Sequence, residues 1–131
     1  MNHTLNVYTY LEQGFPADRS AEAIITPQRA YTWNDIDELS ARFANLLKAL
    51  NLPAGARVAA QVDKSPEALM LYLGTLRAGY VYLPLNTAYK AAEIEYFLGD
   101  AEPSVVVCGS ASAGWMQELA DKLAVAHGYT L

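Results

Sequence analysis

The sequence predicts an α/β fold in which a parallel-rich sheet is flanked by helices and preceded by a β-hairpin. From the strand Arg57–Val62 onward, strand and helix patterns alternate three times. Such alternation is typical of a parallel sheet with right-handed crossover connections. Before it, two short apolar runs flank Pro27-Gln28, which indicates a hairpin. The chain of 131 residues is long enough for one core, and we expect a single domain over residues 1–131.

The first part of the chain predicts a short helix, the hairpin and a long amphipathic helix. A loose helical spacing runs from Leu5 to Phe15, and the two hairpin strands follow at 23–26 and 29–32. Thr32 and Asp35 have the spacing of a capping box, so the second helix is expected to begin at Thr32. Its apolar stripe is predicted to contain Ile36, Leu39, Phe43, Leu46, Leu47 and Leu50.

The stretch from Ser65 to Asn86 predicts a helix, a short helix-ending turn and a strand. Ser65 is a good N-cap, and Pro66 suits the first helical position, where no backbone donor is needed. The helix is apolar on nearly all sides, which indicates burial against several neighbours. Gly79 can adopt the left-handed conformation that ends a helix, and the strand follows at Tyr80–Leu85.

The last third of the chain predicts two more helices and further strands. One helix is expected to end near Gly99, before the strand Val105–Cys108, whose branched residues suit a fully buried position. The loop Gly109–Gly114 leads into a final helix that His127-Gly128 should end. Residues 129–131 would then open another strand.

Composition excludes several classes of function. The formal net charge is −5 and no basic run carries interleaved aromatics, so nucleic-acid binding has little support. Gly74, Arg77 and Gly79 interrupt the longest apolar stretches, well short of the ~18 residues that a membrane span needs. The sequence therefore predicts no membrane partner. The single cysteine and the lack of a visible secretory signal predict a reducing cytoplasmic location. The hydrophobic fraction of 53% suggests that part of the apolar surface is meant for a missing neighbour.

Two motifs resemble the core motifs of the adenylate-forming superfamily. YTWNDIDELS, from Tyr31 to Ser40, resembles the first core motif, and LRAGYVYLPLN, ending at Asn86, resembles the second. The amino-acid sequence from Arg57 to Tyr89 is most similar to that of malonyl-CoA synthetases. The resemblance covers residues 23–108, and two ordered motifs at a compatible spacing indicate the family better than they indicate an activity.

The resemblance implies an enzyme that activates a carboxylate with ATP and Mg²⁺ and then transfers the acyl group to CoA. Such ligases act in fatty acid metabolism. In relatives the phosphate-binding loop, its lysine and the Mg²⁺-binding acidic groups lie downstream of the second motif. We therefore expect an N-terminal fragment of a malonyl-CoA synthetase-like enzyme, truncated before those groups. It would be inactive alone, with no catalytic residue, metal or cofactor of its own.

Two alternatives remain open beside this interpretation. The chain is either a fragment of a peptide-synthetase adenylation domain or a stand-alone binding or dimerisation module derived from the same subdomain. The expected partner is the rest of the adenylate-forming enzyme, or a second copy that associates through an exposed apolar face.

The candidate cofactor-binding residues are Asn86 and Thr87, in the loop that follows a strand. Open α/β sheets bind ligands at this end of their strands. The competing interpretation is a turn in which Asn86 bonds its own backbone. A second segment, Gly109–Gly114, has the G-x-x-x-x-G spacing of a phosphate loop, but tryptophan and methionine follow it. That composition favours a strand-to-helix turn with Ser110 or Ser112 as its cap.

Other reactive side chains indicate structure rather than catalysis. Cys108 ends an apolar run and is predicted to be a small buried hydrophobe. His3 and His127 have no partner at metal-ligand spacing and are expected to be exposed. Glu93 and Glu95 stand two residues apart on a helix, so they do not face each other as a paired acid and base.

Overall fold

The computed structural model describes residues 6–131, so Leu5 and His3 lie outside the described residues. Within this range five helices and six strands follow one another as α1 (Val7–Gln13), β1 (Glu22–Ile25), β2 (Ala30–Thr32), α2 (Trp33–Ala49), β3 (Arg57–Gln61), α3 (Pro66–Arg77), β4 (Val81–Pro84), α4 (Ala91–Ala101), β5 (Val105–Cys108), α5 (Ala113–Lys122) and β6 (His127–Thr130). A single 3₁₀ turn, Ser110–Ser112, precedes α5. The predicted α/β fold is confirmed.

The last four strands form a wholly parallel sheet in the order β4-β3-β5-β6. The central pair is in register from Val58 opposite Val105 to Gln61 opposite Cys108. All four residues of β5 are buried, as the sequence predicts, and β3 is buried except at its first residue. The edge strands β4 and β6 are more exposed. The sequence did not predict this order.

Two layers of helices cover the two faces of the sheet. On one face, Val58 and Ala60 pack with Leu47 of α2 and Leu71 of α3. On the other face, Ala59 and its neighbours pack with side chains of α4 and α5, namely Ile94, Leu98, Met116 and Leu119. Successive strand residues point to opposite faces, so one small-residue strand contributes to both cores.

The hairpin β1–β2 is antiparallel and its turn is closed by a threonine hydroxyl. The backbone N–H of Thr26 donates to the Arg29 carbonyl at 2.9 Å. The Thr26 Oγ1 accepts from the backbone N–H groups of Gln28 at 3.3 Å and Arg29 at 3.1 Å. These bonds explain how Pro27-Gln28 forms the turn without a glycine.

The helix starts agree with the predicted caps. Thr32 Oγ1 accepts from the Asp35 N–H at 3.1 Å, and Asp35 Oδ2 accepts from the Thr32 N–H at 2.9 Å, which confirms the capping box. Ser65 Oγ accepts from the Ala68 N–H at 3.0 Å at the start of α3. Gly79 follows the end of α3 with φ of +82°, in the left-handed region.

The predicted apolar stripe of α2 is wrong at Leu46, which is 48% exposed. Ser40 and Ala44 are buried instead, because they face the closest approach between α2 and α3. A Cβ atom built on Gly74 of α3 would lie 2.5 Å from the Phe43 Cβ and 3.0 Å from the Ser40 carbonyl oxygen. Small residues on both helices therefore permit the contact.

Arg77 joins the first three helices near this contact. Its Nη1 donates to Asp37 Oδ1 of α2 at 2.9 Å and to the Ser40 Oγ at 3.1 Å. The same nitrogen donates to the Tyr8 hydroxyl of α1 at 3.1 Å, and the guanidinium carbon lies 4.5 Å from the centre of the Tyr8 ring. A partly buried cation with several partners fixes the position of α1.

One predicted helix end is displaced by two residues, and another is wrong. Helix α4 continues through Gly99 to Ala101 and ends where Glu102 takes a left-handed φ of +48° and donates its N–H to the Leu98 carbonyl. Helix α5 ends at Lys122, and His127 and Gly128 belong to β6 rather than ending the helix. Pairing of these two residues with β5 outweighs the local helix-stop signal.

We predict that Gly74→Ala destabilises the chain although alanine favours helices. The new methyl group would overlap Phe43 and the α2 backbone, and overpacking costs about 1–3 kcal/mol. The matched control is Gly99→Ala in α4, where the added Cβ would meet no described residue within 4 Å apart from its chain neighbours and the backbone of its own helix. That variant should gain about 0.5–1 kcal/mol. Urea unfolding measures both, and equal stabilities of the two variants would contradict the close-packed crossing.

A second prediction concerns acid stability. The backbone N–H of Thr32, bonded to Asp35, holds the pKa of that carboxyl below its ordinary value. A carboxyl with a depressed pKa stabilises the fold above its unfolded pKa, and that contribution is lost as pH falls through the folded pKa. Asp35→Asn should therefore lower the free energy of unfolding at neutral pH, and the difference should shrink below about pH 4. A difference that stays constant in urea titrations down to pH 2 would contradict this role.

Candidate functional site

The strands β3 and β5 lie side by side but lead to opposite faces of the sheet. The chain leaves β3 toward α3 on one face and leaves β5 toward α5 on the other. A crevice opens where neighbouring parallel strands diverge in this way, and ligands bind there in open α/β sheets. The crevice has a volume of about 370 Å³ and is lined by Asp63, Ser65, Gly109, Ser110 and Leu131, among others.

A second cleft lies beside the crevice, at the starts of α4 and α5. It has a volume of about 200 Å³ and is lined by Gln61, Thr87, Tyr89, Lys90, Ala91, Ser112 and Trp115. Lys90 contributes a positive charge, Thr87 and Ser112 contribute hydroxyl groups, and Trp115 contributes an aromatic surface. We define this set of residues as the edge cleft. Its polar donors and its position suit an anionic ligand with a planar group.

Asn86 begins the loop that forms one wall of the edge cleft. Its Oδ1 accepts from the Ala88 N–H at 2.9 Å, and its carbonyl accepts from the Tyr89 N–H at 3.1 Å. These bonds match the turn interpretation of Asn86. Thr87 is exposed at the tip of the turn and lines the edge cleft. The cofactor-binding role of Asn86 and Thr87 stays a prediction.

Gln61 lies beneath this loop and was missed by the sequence reasoning. Its side chain is 5% exposed, and its Nε2 donates to the carbonyls of Asn86 at 2.9 Å and Tyr89 at 3.0 Å. Its Oε1 is buried and has no hydrogen-bond partner among residues 6–131. The available signal was the one polar side chain in the strand sequence VAAQ, at the end nearest the expected ligand edge.

The Gly109–Gly114 segment forms the other wall of the edge cleft. It folds as the 3₁₀ turn followed by the first turn of α5, and the Gly109 N–H donates to the Gln61 carbonyl at 3.3 Å. Ser112 occupies the N-cap position of α5 but its side chain makes no capping bond. The predicted serine cap is therefore wrong at Ser112.

The remaining reactive groups have structural surroundings. Cys108 is buried as predicted, and burial raises the pKa of its thiol, which disfavours the nucleophilic thiolate. Glu93 accepts from the Lys90 backbone N–H at 2.8 Å, whereas Glu95 pairs with Lys122 of α5. His127 starts β6 and is half-buried rather than exposed.

Two general features complete the description of residues 6–131. No three histidine, cysteine or carboxylate side chains in this range are grouped as a metal ion would require. None of the helices in the same range combines the length and the apolar character needed to cross a membrane.

The AMP-binding enzyme family matches residues 12–129, which is nearly the whole chain. The chain therefore belongs to this family of adenylate-forming enzymes. Among curated relatives, the long-chain-fatty-acid–CoA ligase FadD13 of Mycobacterium tuberculosis is 31% identical over 110 residues, covering 82% of this chain and 22% of the ligase. The nonribosomal peptide synthetase sidC of Arthroderma benhamiae is 32% identical over 93 residues, covering 71% of this chain and 2% of the synthetase.

Solved structures share the fold over almost the full chain. MatB from Rhodopseudomonas palustris, solved without ligand and with ATP bound, superimposes with a TM-score of 0.86 at 42% identity. The superposition covers 96% of this chain and 25% of MatB. The chain thus spans less than a quarter of the curated relatives and about a quarter of MatB. The architecture is that of the N-terminal domain of adenylate-forming enzymes.

Proposed function

We propose that this chain is the N-terminal portion of an ATP-dependent acyl-CoA ligase of the malonyl-CoA synthetase type. In such an enzyme a substrate carboxylate oxygen attacks the α-phosphorus of ATP, and pyrophosphate leaves. The CoA thiol then attacks the acyl carbon of the adenylate, and AMP leaves. The observation that carries the proposal is the 42% identity to MatB across 96% of the chain, with the same fold.

Support for malonate as the substrate comes from the pattern of identities. The segment Arg57–Tyr89 resembles malonyl-CoA synthetases in amino-acid sequence. Identity to MatB is 42%, compared with 24% for an anthranilate CoA ligase and 20% for a benzoate CoA ligase that share the fold. The chain therefore resembles MatB in sequence more than it resembles these aryl-CoA ligases, which favours a small aliphatic diacid over an aromatic acid.

Within the proposed enzyme, this chain supplies one wall of the cofactor site rather than the reacting groups. Thr87, Lys90 and Ser112 converge on the edge cleft, where a phosphate-bearing cofactor, ATP or CoA, would find a cation and hydroxyl donors. The segment Gly109–Gly114 lacks the following lysine that holds β- and γ-phosphates in phosphate loops. The chain alone is therefore proposed to be inactive, and the Mg²⁺ site is proposed to lie on the remaining polypeptide.

The remaining polypeptide is also the proposed partner. Val7, Tyr10 and Leu11 of α1 are 54%, 60% and 40% exposed, and β6 is a free sheet edge among the described strands. Exposed apolar side chains and an unpaired edge strand are features that a neighbouring part of the same enzyme would cover. Self-association of the chain through the same surface is the alternative.

A peptide-synthetase adenylation domain is the second candidate. Bacitracin synthase 3 of Bacillus licheniformis is 35% identical over 80 residues, covering 61% of this chain and 1% of the synthetase. Such an enzyme would adenylate an amino acid instead of a diacid. The two candidates differ in the carboxylate that triggers pyrophosphate release, so a substrate panel separates them.

The proposal predicts the activities of the 131-residue chain and of a longer polypeptide expressed from the same gene. With ATP, Mg²⁺ and CoA, the longer polypeptide should release pyrophosphate with malonate, and the 131-residue chain should stay at background. Benzoate, a long-chain fatty acid and a mixture of amino acids serve as competing substrates. Release by the short chain alone, or a preference for another carboxylate, would contradict the proposal.

A further inference from the structure

Gln61 stands at the junction of three connections on the ligand-binding edge of the sheet. It ends β3, its carbonyl accepts from the Gly109 N–H after β5, and its side chain holds the loop after β4. The side chain lies on the same face of the sheet as Ala59, beneath the starts of α4 and α5. One residue thus connects both walls of the edge cleft.

The orientation of the Gln61 amide is determined by its partners. Asn86 and Tyr89 both present carbonyl oxygens, at 2.9 and 3.0 Å, so only the NH₂ end of the amide can face them. The Oε1 then points away into a buried position, where no described residue donates to it. A buried acceptor without a partner destabilises a fold. The Nε2 supplies a donor to both loop carbonyls, and an apolar residue at this position would leave them without it, so the amide is what ties the loop to β3.

Apart from the turn bonds to Asn86 within it, the loop from Asn86 to Lys90 is also attached at its two ends. The Leu85 N–H donates to the Ala60 carbonyl before the loop, and the Tyr89 ring packs on Phe97 with ring centres 5.0 Å apart. Between these points Thr87 and Ala88 are exposed. The two bonds from Gln61 hold the loop from beneath and thereby determine where Thr87 and Lys90 lie in the edge cleft.

We propose that Gln61 is a positioning residue that holds the loop Asn86–Lys90 in the conformation that receives the cofactor. The identity of the cofactor rests on the proposed ligase function. The positioning of the loop by Gln61 does not depend on that function. Gln61 acts through the loop backbone and makes no contact with the reacting atoms.

The first test measures the loop in the 131-residue chain. Gln61→Met keeps the length of the side chain and removes both donors, so exchange of the loop amides Ala88 and Tyr89 should accelerate about tenfold. The matched control is Thr75→Val, because Thr75 is fully buried in α3 and its hydroxyl donates to the Leu71 carbonyl of the same helix, away from the loop. Thr75→Val should leave loop exchange unchanged. Equal loop exchange in Gln61→Met and in the parent chain would overturn the proposal.

Gln61→Glu provides a second variant of unchanged volume. Its carboxylate would face two carbonyl oxygens and release the loop at neutral pH, whereas the protonated acid can donate one hydrogen bond. Protection of the loop amides, corrected for intrinsic exchange rates, should therefore recover as pH is lowered from about 8 to 5. The proposal would be overturned if the loop amides were as protected from exchange in Gln61→Glu as in the parent chain at every pH.

The third measurement uses the longer enzyme, with ATP and CoA varied separately. Gln61→Met should raise the KM for at least one of the two cofactors about fivefold and keep kcat within about twofold. Unchanged KM values, or the same change in Thr75→Val, would overturn the positioning role. If the parent enzyme is inactive, the proposed ligase function is contradicted. Faster loop exchange in Gln61→Met would still support the role of Gln61 in positioning the loop.

Discussion

The pairing of β3 with β5 is the contact on which the rest of the structure depends. Val58, Ala59 and Ala60 are small enough for helices to pack closely on both faces of the strand, and all four residues of β5 are buried beside them. Because the chain leaves the two strands toward opposite faces, the same pairing separates the helices into two layers. It also opens the crevice at the carboxyl edge, where open α/β sheets bind their ligands. Fold and candidate site therefore have one origin.

The second close contact, between α2 and α3, positions everything that precedes the sheet. Gly74 brings the backbones of the two helices together, and Arg77 extends the contact to α1 through Asp37 and Tyr8. Helix α1 is thereby positioned relative to the sheet, although it does not join it, and the hairpin packs beside it through Ala23 and Ile24. The apolar side chains that α1 leaves exposed therefore have a defined position, and a surface of this kind suits contact with another part of a larger enzyme.

Local signals in the sequence predicted most of the elements but little of their arrangement. The capping box at Thr32, the Ser65 cap and the branched run of β5 each act over a few residues, so their positions could be read directly. Leu46 and His127 were misplaced because contacts between elements override local preference there. The end of α4 differs because Glu102, and not Gly99, takes the left-handed conformation. Strand order and the role of Gln61 depend on contacts between distant residues, such as the 2.9 Å bond to Asn86, and a single sequence does not contain them.

The most direct test of this account is native-state hydrogen exchange along the 131-residue chain. If β3 and β5 are the core of the unit, the amides of Val58–Ala60 and Val105–Val107 should be the slowest to exchange and should open only with global unfolding. The amides of β6 and α1 should exchange faster, through local opening. Exchange of the central strands at the rate of β6 would contradict the account, since the β3–β5 pair would then not be the element on which the rest depends.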